Sequence, residues 1–251
     1  MYLWGSVLEW TTHKWTMHGL GWVGTSFVPP SMTRWHKEHH SETALNQDVP
    51  ADFRPDGIVF NSKEMWIMGG LFSVGALVNW KLLGLDTLTP GAPWLGATAV
   101  SGVTVVFALL YFWAWNSIHS AYHRKYIHTN RPIPNPKAGT QLTLWSPLPY
   151  FVPNTGSAVY RFLFKYHTLH HLNKGEGKGN FNIMMPLADV LLGSHTPRVD
   201  NTRYFADHPP RTPQERWLAS RPVFDIAVRA GNRILYREPG GKTWAPLPEG
   251  F

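Results

Sequence analysis

The chain has 251 residues and no cysteine, which excludes disulfides, iron–sulfur clusters, thiolate-ligated haem and every cysteine-containing zinc site; any metal must be held by imidazole or carboxylate. Its length suits one domain with a tail, and a mean hydropathy of −0.22 excludes a mostly transmembrane protein. The net charge is +7, and residues 121–180 alone hold eight Lys and Arg against the single acid Glu176. Beside hydrophobic spans that patch reads as the cytoplasmic side of a bilayer, so no nucleic-acid partner is expected.

In chain order, "MYLWGSVLEWTTHKWTMHG" opens with a short apolar stretch and closes on His13 and His18. Too few residues precede His13 to span a membrane, so the stretch is either truncated or interfacial, and it carries no signal-peptide pattern. "RWHKEHHSE" (residues 34–42) follows. Then come two uncharged runs, Trp66 to Trp80, extendable to Leu85, and Trp94 to Asn116, joined by the Pro- and Gly-bearing "DTLTPGAPW". The second run is long enough to cross a hydrocarbon core of about 30 Å at about 1.5 Å per residue. Together the two predict a membrane hairpin whose outer ends emerge on one face, with 13 Trp and 9 Tyr in the chain to settle at the interface.

"NSIHSAYHRKYIH" (116–128) follows the hairpin directly. Residues 129–160 are Pro- and Gly-rich and are expected to form a lid or an interfacial flap. "YHTLHHLNKG" (166–175) comes next, and residues 196–251 are expected to be a soluble extension with a short helix near Pro213–Arg221. The fold class expected is therefore all-α. Membrane helices, one hairpin plus the short N-terminal segment, carry a cytosolic helical cap that bears the histidines, in a catalytic unit spanning 1–195.

Histidine spacing carries the chemistry. Positions i, i+3 and i+4 share a helix face, so His36, His39 and His40 can converge, as can His167, His170 and His171, and the i, i+4 pair His119 and His123. His13 and His18, five apart, diverge by about 140° on an ideal helix and need a kink or a helix end to meet. The pair His119 and His123 taken alone is surface or core chance more often than a ligand set. Two trios and two pairs at one end of a hairpin are what a site with several metal ions requires, because neutral imidazole ligates iron, zinc, copper and nickel. Of the remaining histidines, His128 reads as an outer partner or nothing, His195 as a cap on the last motif, and His208 as solvent-exposed.

The series "HKWTMH", "HKEHH", "HSAYH" and "HTLHH", with "EWTTHKWTMHG" before it and "FKYHTLHHLNKGEGKGNFNIMMPLADVLLGS" at its end, resembles the fatty acid hydroxylase and sterol desaturase superfamily of integral-membrane di-iron enzymes over residues 3–195. The resemblance implies a four-helix-type membrane domain beneath a cytosolic cap. Two iron ions would lie among ten histidines: His13, His18, His36, His39, His40, His119, His123, His167, His170 and His171. His40, His170 and His171 are expected to carry catalysis. It also implies O₂ as co-substrate and a lipid-like substrate such as a fatty acyl chain, sterol or carotenoid. Hydroxylation and desaturation both remain open. The implied setting is multi-pass, in a bacterial inner membrane or the endoplasmic reticulum, with the site on the cytosolic side.

The sequence carries no flavin, nicotinamide or haem-attachment signature, so electrons are expected from a separate carrier, cytochrome b5-like or ferredoxin-like; the basic segment would suit an acidic one. The connection between His123 and His167 is longer than the family pattern. Of the nearby carboxylates, Asp189 is expected to orient a ligand or cap a helix rather than bind metal, and Glu9 is the other. The rival readings are a membrane zinc hydrolase and a non-catalytic metal-binding membrane protein. Against the first, "HKEHH" is not HExxH; against the second, Lys81 is the sole ionisable residue within the spans.

Overall fold

A computed structural model describes residues 2–19, 30–50, 59–82, 84, 93–123, 132–135, 140–143 and 148–249. Its helices are α1 (Tyr2–Thr11, continued by a π-helix over Thr12–Met17), α2 (Pro30–Glu42), α3 (Ser62–Leu82), α4 (Pro93–Tyr122), α5 (Ala158–Leu172), α6 (Leu187–Leu191), α7 (Thr202–Asp207) and α8 (Pro213–Ser220). Strands β1 (Pro132–Asn135) and β2 (Thr140–Thr143) form a small hairpin; β3 (Val199–Asp200), β4 (Val223–Arg229), β5 (Arg233–Arg237) and β6 (Ala245–Pro246) form an antiparallel sheet in that order.

The two helices expected of a membrane hairpin are present as α3 and α4 and pack on one another. Asn116, near the end of α4, donates from Nδ2 to the Phe60 carbonyl and accepts from the Phe60 amide on Oδ1, both at 2.9 Å. The start of α3 is thereby fixed beside the end of α4, which makes the two antiparallel. Their facing sides bury Met65, Phe72, Ala108, Tyr111, Phe112 and Trp115. Their outer sides do the opposite: Ile67, Leu71, Val74, Val78 and Leu82 on α3, and Leu95, Val103, Val106 and Leu110 on α4, stand exposed at helical spacing. Water does not favour such stripes, and hydrocarbon does. Among the described residues, α4 is the one helix long and apolar enough to cross a membrane, over Leu95–Tyr122. The loop joining the two helices lies largely outside the described residues.

α1 lies against the hairpin through a close contact with α3. A Cβ placed on Gly75 would sit 1.9 Å from the Trp4 ring, so glycine is what lets the indole pass. Gly75→Ala is expected to destabilise the protein by roughly 1–3 kcal/mol, and Trp4→Ala in the same chain to recover most of it. Thermal melts of the two single variants and the double variant measure this coupling.

The all-α expectation needs correction. Residues after 195 do form the expected short helix, α8, opened by a capping box in which the Thr212 hydroxyl accepts from the Glu215 amide. They also form the four-stranded sheet. "VFDIAVR" and "RILYR" alternate with period two, burying Phe224 and Ile226 on β4 and Ile234 on β5 beside Leu218. Gly231 (φ 72°) and Asn232 (φ 57°) supply the left-handed turn between them. The sheet shares one apolar core with Tyr122, Tyr160 and Phe164, and Asn232 Nδ2 donates to the Ala121 carbonyl at 2.8 Å. Side-chain amides lock it to the end of α5: Asn201 Nδ2 donates to the Leu172 carbonyl at 3.0 Å, and Asn173 Oδ1 accepts from the Asp200 amide at 2.9 Å.

Candidate metal centre

All ten boxed histidines converge, in two sets of five. One set is His13, His18, His36, His40 and His170; the other is His39, His119, His123, His167 and His171. Within each set one ring nitrogen per residue lies within 4.8 Å of every other. The elements explain how. His13 and His18 meet because the chain widens into a π-helix there, with the His18 amide bonded to the His13 carbonyl at 3.1 Å. That i→i+5 ladder replaces the divergence of an ideal helix with adjacency, and the two rings stack at 5.1 Å. The trios do not each feed one set. Residues i and i+4 go together (His36 with His40, His167 with His171) while the i+3 member, His39 or His170, faces the other set. α2 and α5 thus each contribute to both, and the sets touch where His40 and His171 stack at 4.0 Å.

Ring-nitrogen tautomers follow from outer partners that only accept. His13 Nδ1 meets the Phe181 carbonyl, His170 Nδ1 the Gly179 carbonyl at 2.7 Å, and His123 Nδ1 the Gln47 carbonyl at 3.0 Å. Each Nδ1 must therefore carry the proton, leaving a lone pair on Nε2. Thr43 extends the pattern. Its hydroxyl donates to the His39 carbonyl at 2.7 Å, so its oxygen accepts from His39 Nδ1 at 3.3 Å.

The inward nitrogens then face one another. His36 Nε2 lies 2.9, 3.2 and 3.1 Å from the Nε2 atoms of His13, His18 and His40, and His170 Nε2 lies 2.9 and 3.1 Å from those of His18 and His40. In the second set, His167 Nε2 lies 3.2 and 3.1 Å from those of His119 and His123, while His39 Nε2 and His171 Nε2 are buried with no hydrogen-bond partner. Neutral imidazoles cannot satisfy so many opposed lone pairs by hydrogen bonding. A cation can: at a metal–nitrogen distance of about 2.0–2.1 Å, ligands at right angles sit about 2.9 Å apart. The donor set thus fits one imidazole-ligated ion per group of five.

Burial holds the rings neutral. His13 is pushed down to about 3, mainly by desolvation, and His123 to about 4 by the same cause, against the Gln47 bond that opposes it. His39, His40, His167, His170 and His171 are all driven well below the usual histidine range, first by burial and then by the crowding of neighbouring imidazoles, with Lys178 adding to the effect on His40 and His170. Free histidine takes up its proton near 6.5, so between about pH 6.5 and 4 the unfolded chain binds protons that the folded chain refuses. The metal-free protein is therefore expected to lose stability as pH falls through that window, by about 1.4 kcal/mol per pH unit for each such group. Unfolding of chelator-treated protein, followed by circular dichroism at pH 7, 6 and 5, tests the sign.

Carboxylates stand one step out. Asp189 accepts from the Phe181 amide at 3.0 Å, the Asn182 amide at 2.7 Å and the Ser194 hydroxyl at 2.6 Å. It thereby fixes the loop whose Phe181 carbonyl holds His13, which accords with an orienting role and puts it in neither ligand set. Glu9 is buried and accepts from Trp115 Nε1 at 3.1 Å and from the amides of Ile183, Met184 and Met185 at 2.7, 3.1 and 3.2 Å. A small cavity of about 10 Å³ is lined by Phe60, Phe72, Tyr111, Phe112 and Trp115 together with Glu9 and His13.

The residues that sequence reasoning missed are the carbonyl clamps. Gln47 (φ 71°) and Asn180 (φ 55°) both hold the left-handed conformation, unusual for residues other than glycine. The first presents its own carbonyl to His123, and the second sits between the two carbonyls that hold His170 and His13. Lys178 was missed as well; its Nζ lies 3.4 Å from His40 Nδ1. His195 stacks on Tyr166 at 5.4 Å, and its Nδ1 meets Asn180 Oδ1 at 3.2 Å, a local cap; His208 is exposed against Tyr204. His128 lies outside the described residues.

Set against known proteins, the chain matches no family model, no curated protein and no solved structure.

Proposed function

We propose that the chain is an integral-membrane di-iron enzyme that uses O₂ to hydroxylate or desaturate a lipid-like substrate. The observation that carries this reading is the pair of adjacent five-imidazole sets at one end of an apolar helical hairpin. Five nitrogens per ion exceed the four-coordinate habit of zinc and suit an ion of higher coordination with one position left for a small ligand. Oxygen-rich sites of the magnesium or calcium kind are disfavoured, since neither set contains a carboxylate. The bound irons would supply reduction of O₂ and activation of an otherwise inert C–H bond.

The chain's own residues do the rest. Phe181, Gly179, Gln47 and Thr43 keep a proton on the outer nitrogen of their histidines and so hold the inner nitrogen available to metal at neutral pH. Glu9 and Asp189 brace the 181–185 segment that carries the Phe181 clamp. Phe60, Phe72, Phe112 and Trp115 give the small cavity beside His13 and Glu9 an apolar wall, which favours a hydrocarbon over a polar group next to that ligand.

The exposed apolar stripes of α3 and α4 favour two crossings, and the basic flank of α4 at Arg124 and Lys125 favours a cytosolic histidine end. Protein purified in detergent from cells grown with iron is expected to hold about two irons per chain. Expression in a lipid-producing host is expected to yield lipids heavier by one oxygen or lighter by two hydrogens. A single tightly held zinc with no oxygen uptake would transfer the assignment to a hydrolase.

A further inference from the structure

On the far side of α5 from its histidines lies a groove of about 470 Å³, closed on its other wall by the C-terminal sheet. Arg161, Phe162 and Lys165 from α5 face Ile226, Arg237 and Trp244 across it. Its charge is one-sided. The single acid in its wall, Asp225, is already answered by Arg237 at 3.2 Å and Arg198 at 4.0 Å. Among the described residues neither Arg161 nor Lys165 is paired with an acidic side chain; Arg161 donates to the Gly156 carbonyl at 2.8 Å. Phe162 is 53% exposed and Trp244 36%, so two aromatic rings stand open to solvent among these cations. The guanidinium of Arg237 rests on the Trp244 ring at 4.6 Å.

The groove's place in the fold gives this surface a use. Lys165 is two residues from His167, and Phe162 packs on Tyr166, the residue before that ligand, with ring centroids at 6.0 Å. Anything seated over Phe162 is separated from His167 and His170 by the thickness of a single helix, about 10 Å. We infer that the groove between α5 and the C-terminal sheet is the docking site for an acidic electron-carrier protein, with Arg161, Lys165 and Arg237 meeting its carboxylates and Phe162 and Trp244 forming the apolar contact. This rests on the di-iron reading above, which creates the need for electrons. Hydroxylation takes one C–H bond, O₂, two electrons and two protons to an alcohol and one water; desaturation takes two neighbouring C–H bonds with the same O₂, electrons and protons to an alkene and two waters. Two one-electron deliveries at the groove close either balance. The sheet that completes the groove lies beyond residue 195, outside the stretch that resembles the hydroxylase superfamily.

The test uses the full chain in phosphatidylcholine nanodiscs, which carry no net lipid charge, with ferredoxin and cytochrome b5 as the acidic probes. Carrier binding is read by interferometry, and anaerobic reduction of the oxidised protein by loss of its ferric absorbance. Each full reduction consumes two reduced carriers. The control reductant is dithionite with methyl viologen, which needs no docking surface. At low salt the wild type is expected to bind at least one carrier. Arg161→Glu with Lys165→Glu is expected to weaken binding and slow carrier-driven reduction at least tenfold, with metal content and viologen-driven reduction unchanged. The wild-type rate is expected to fall steeply with salt, as charge steering requires.

Unaltered carrier kinetics in the variant would overturn the inference. So would equal losses with both reductants, failure of both carriers to bind the wild type, or an effect confined to nanodiscs containing phosphatidylglycerol, which would make the groove a lipid contact. Protein that binds carrier through this groove yet contains no iron would instead remove the di-iron reading and leave the docking surface standing.

Discussion

His36→Ala is expected to leave the protein folded with about one iron per chain instead of two, and to abolish oxygen-dependent turnover. His36 Nε2 is the most connected inward nitrogen of its set, facing three others at 2.9–3.2 Å. Its loss opens that group while leaving all five nitrogens of the other in place. Loss of an outer partner alone commonly costs roughly 10–100-fold in metal affinity or activity, so loss of a ligand must exceed that range. Metal analysis on purified variants gives the stoichiometry. His171→Ala, a member of the opposite set, serves as the counterpart: each variant should lose one ion, and the double variant both. Retention of two irons in either single variant would break the partition into fives.

That partition was only half legible in the sequence. The spacing of His36, His39 and His40 and of His167, His170 and His171 announces ligands because three imidazoles at i, i+3 and i+4 crowd one side of a helix. The same rotation, about 100° per residue, sets the i+3 member some 60° to one side of i and the i+4 member about 40° to the other. Each trio therefore straddles the line between two sites, a consequence that needs the facing helices before it becomes visible. The separation of His13 and His18 predicted a distortion but not its form, since a π-helix depends on the tertiary pull of the partners that capture both rings. The carbonyl clamps leave almost no trace in sequence, because a backbone oxygen belongs to every residue. Gln47 and Asn180 become conspicuous only through their left-handed φ angles.

The fold shows the same contrast. The helices α3 and α4 were legible from uncharged length, and α8 from a Thr-Pro start with glutamate three residues after the threonine. The C-terminal sheet was overlooked because no long apolar run marks it. Its signal was the alternation in "VFDIAVR" and "RILYR" around Gly231 and Asn232, a period of two that a search for membrane spans passes over.

Asp189→Ala is expected to be the costliest change outside the ligands. The carboxylate is buried, and its two oxygens take the Phe181 and Asn182 amides and the Ser194 hydroxyl. Alanine would strand two buried amides, each worth about 1–3 kcal/mol when left unmet, and release the half-buried Ser194 hydroxyl, so a loss of at least about 2 kcal/mol is expected. The chemical consequence should follow the geometry. Phe181 moves once its amide is released, its carbonyl leaves His13, and the set containing His13 loses iron before the set containing His123 does. Asp189→Asn separates stability from clamping: its amide oxygen can still accept from one backbone N–H, so it should fold better than the alanine variant while still weakening the first set. Chemical denaturation, metal analysis and chelator-driven iron release, run on both variants, follow the two effects independently. Equal iron loss from both sets would mean that Asp189 merely supports the fold, whereas selective loss from the His13 set ties the Phe181 carbonyl to ligand placement.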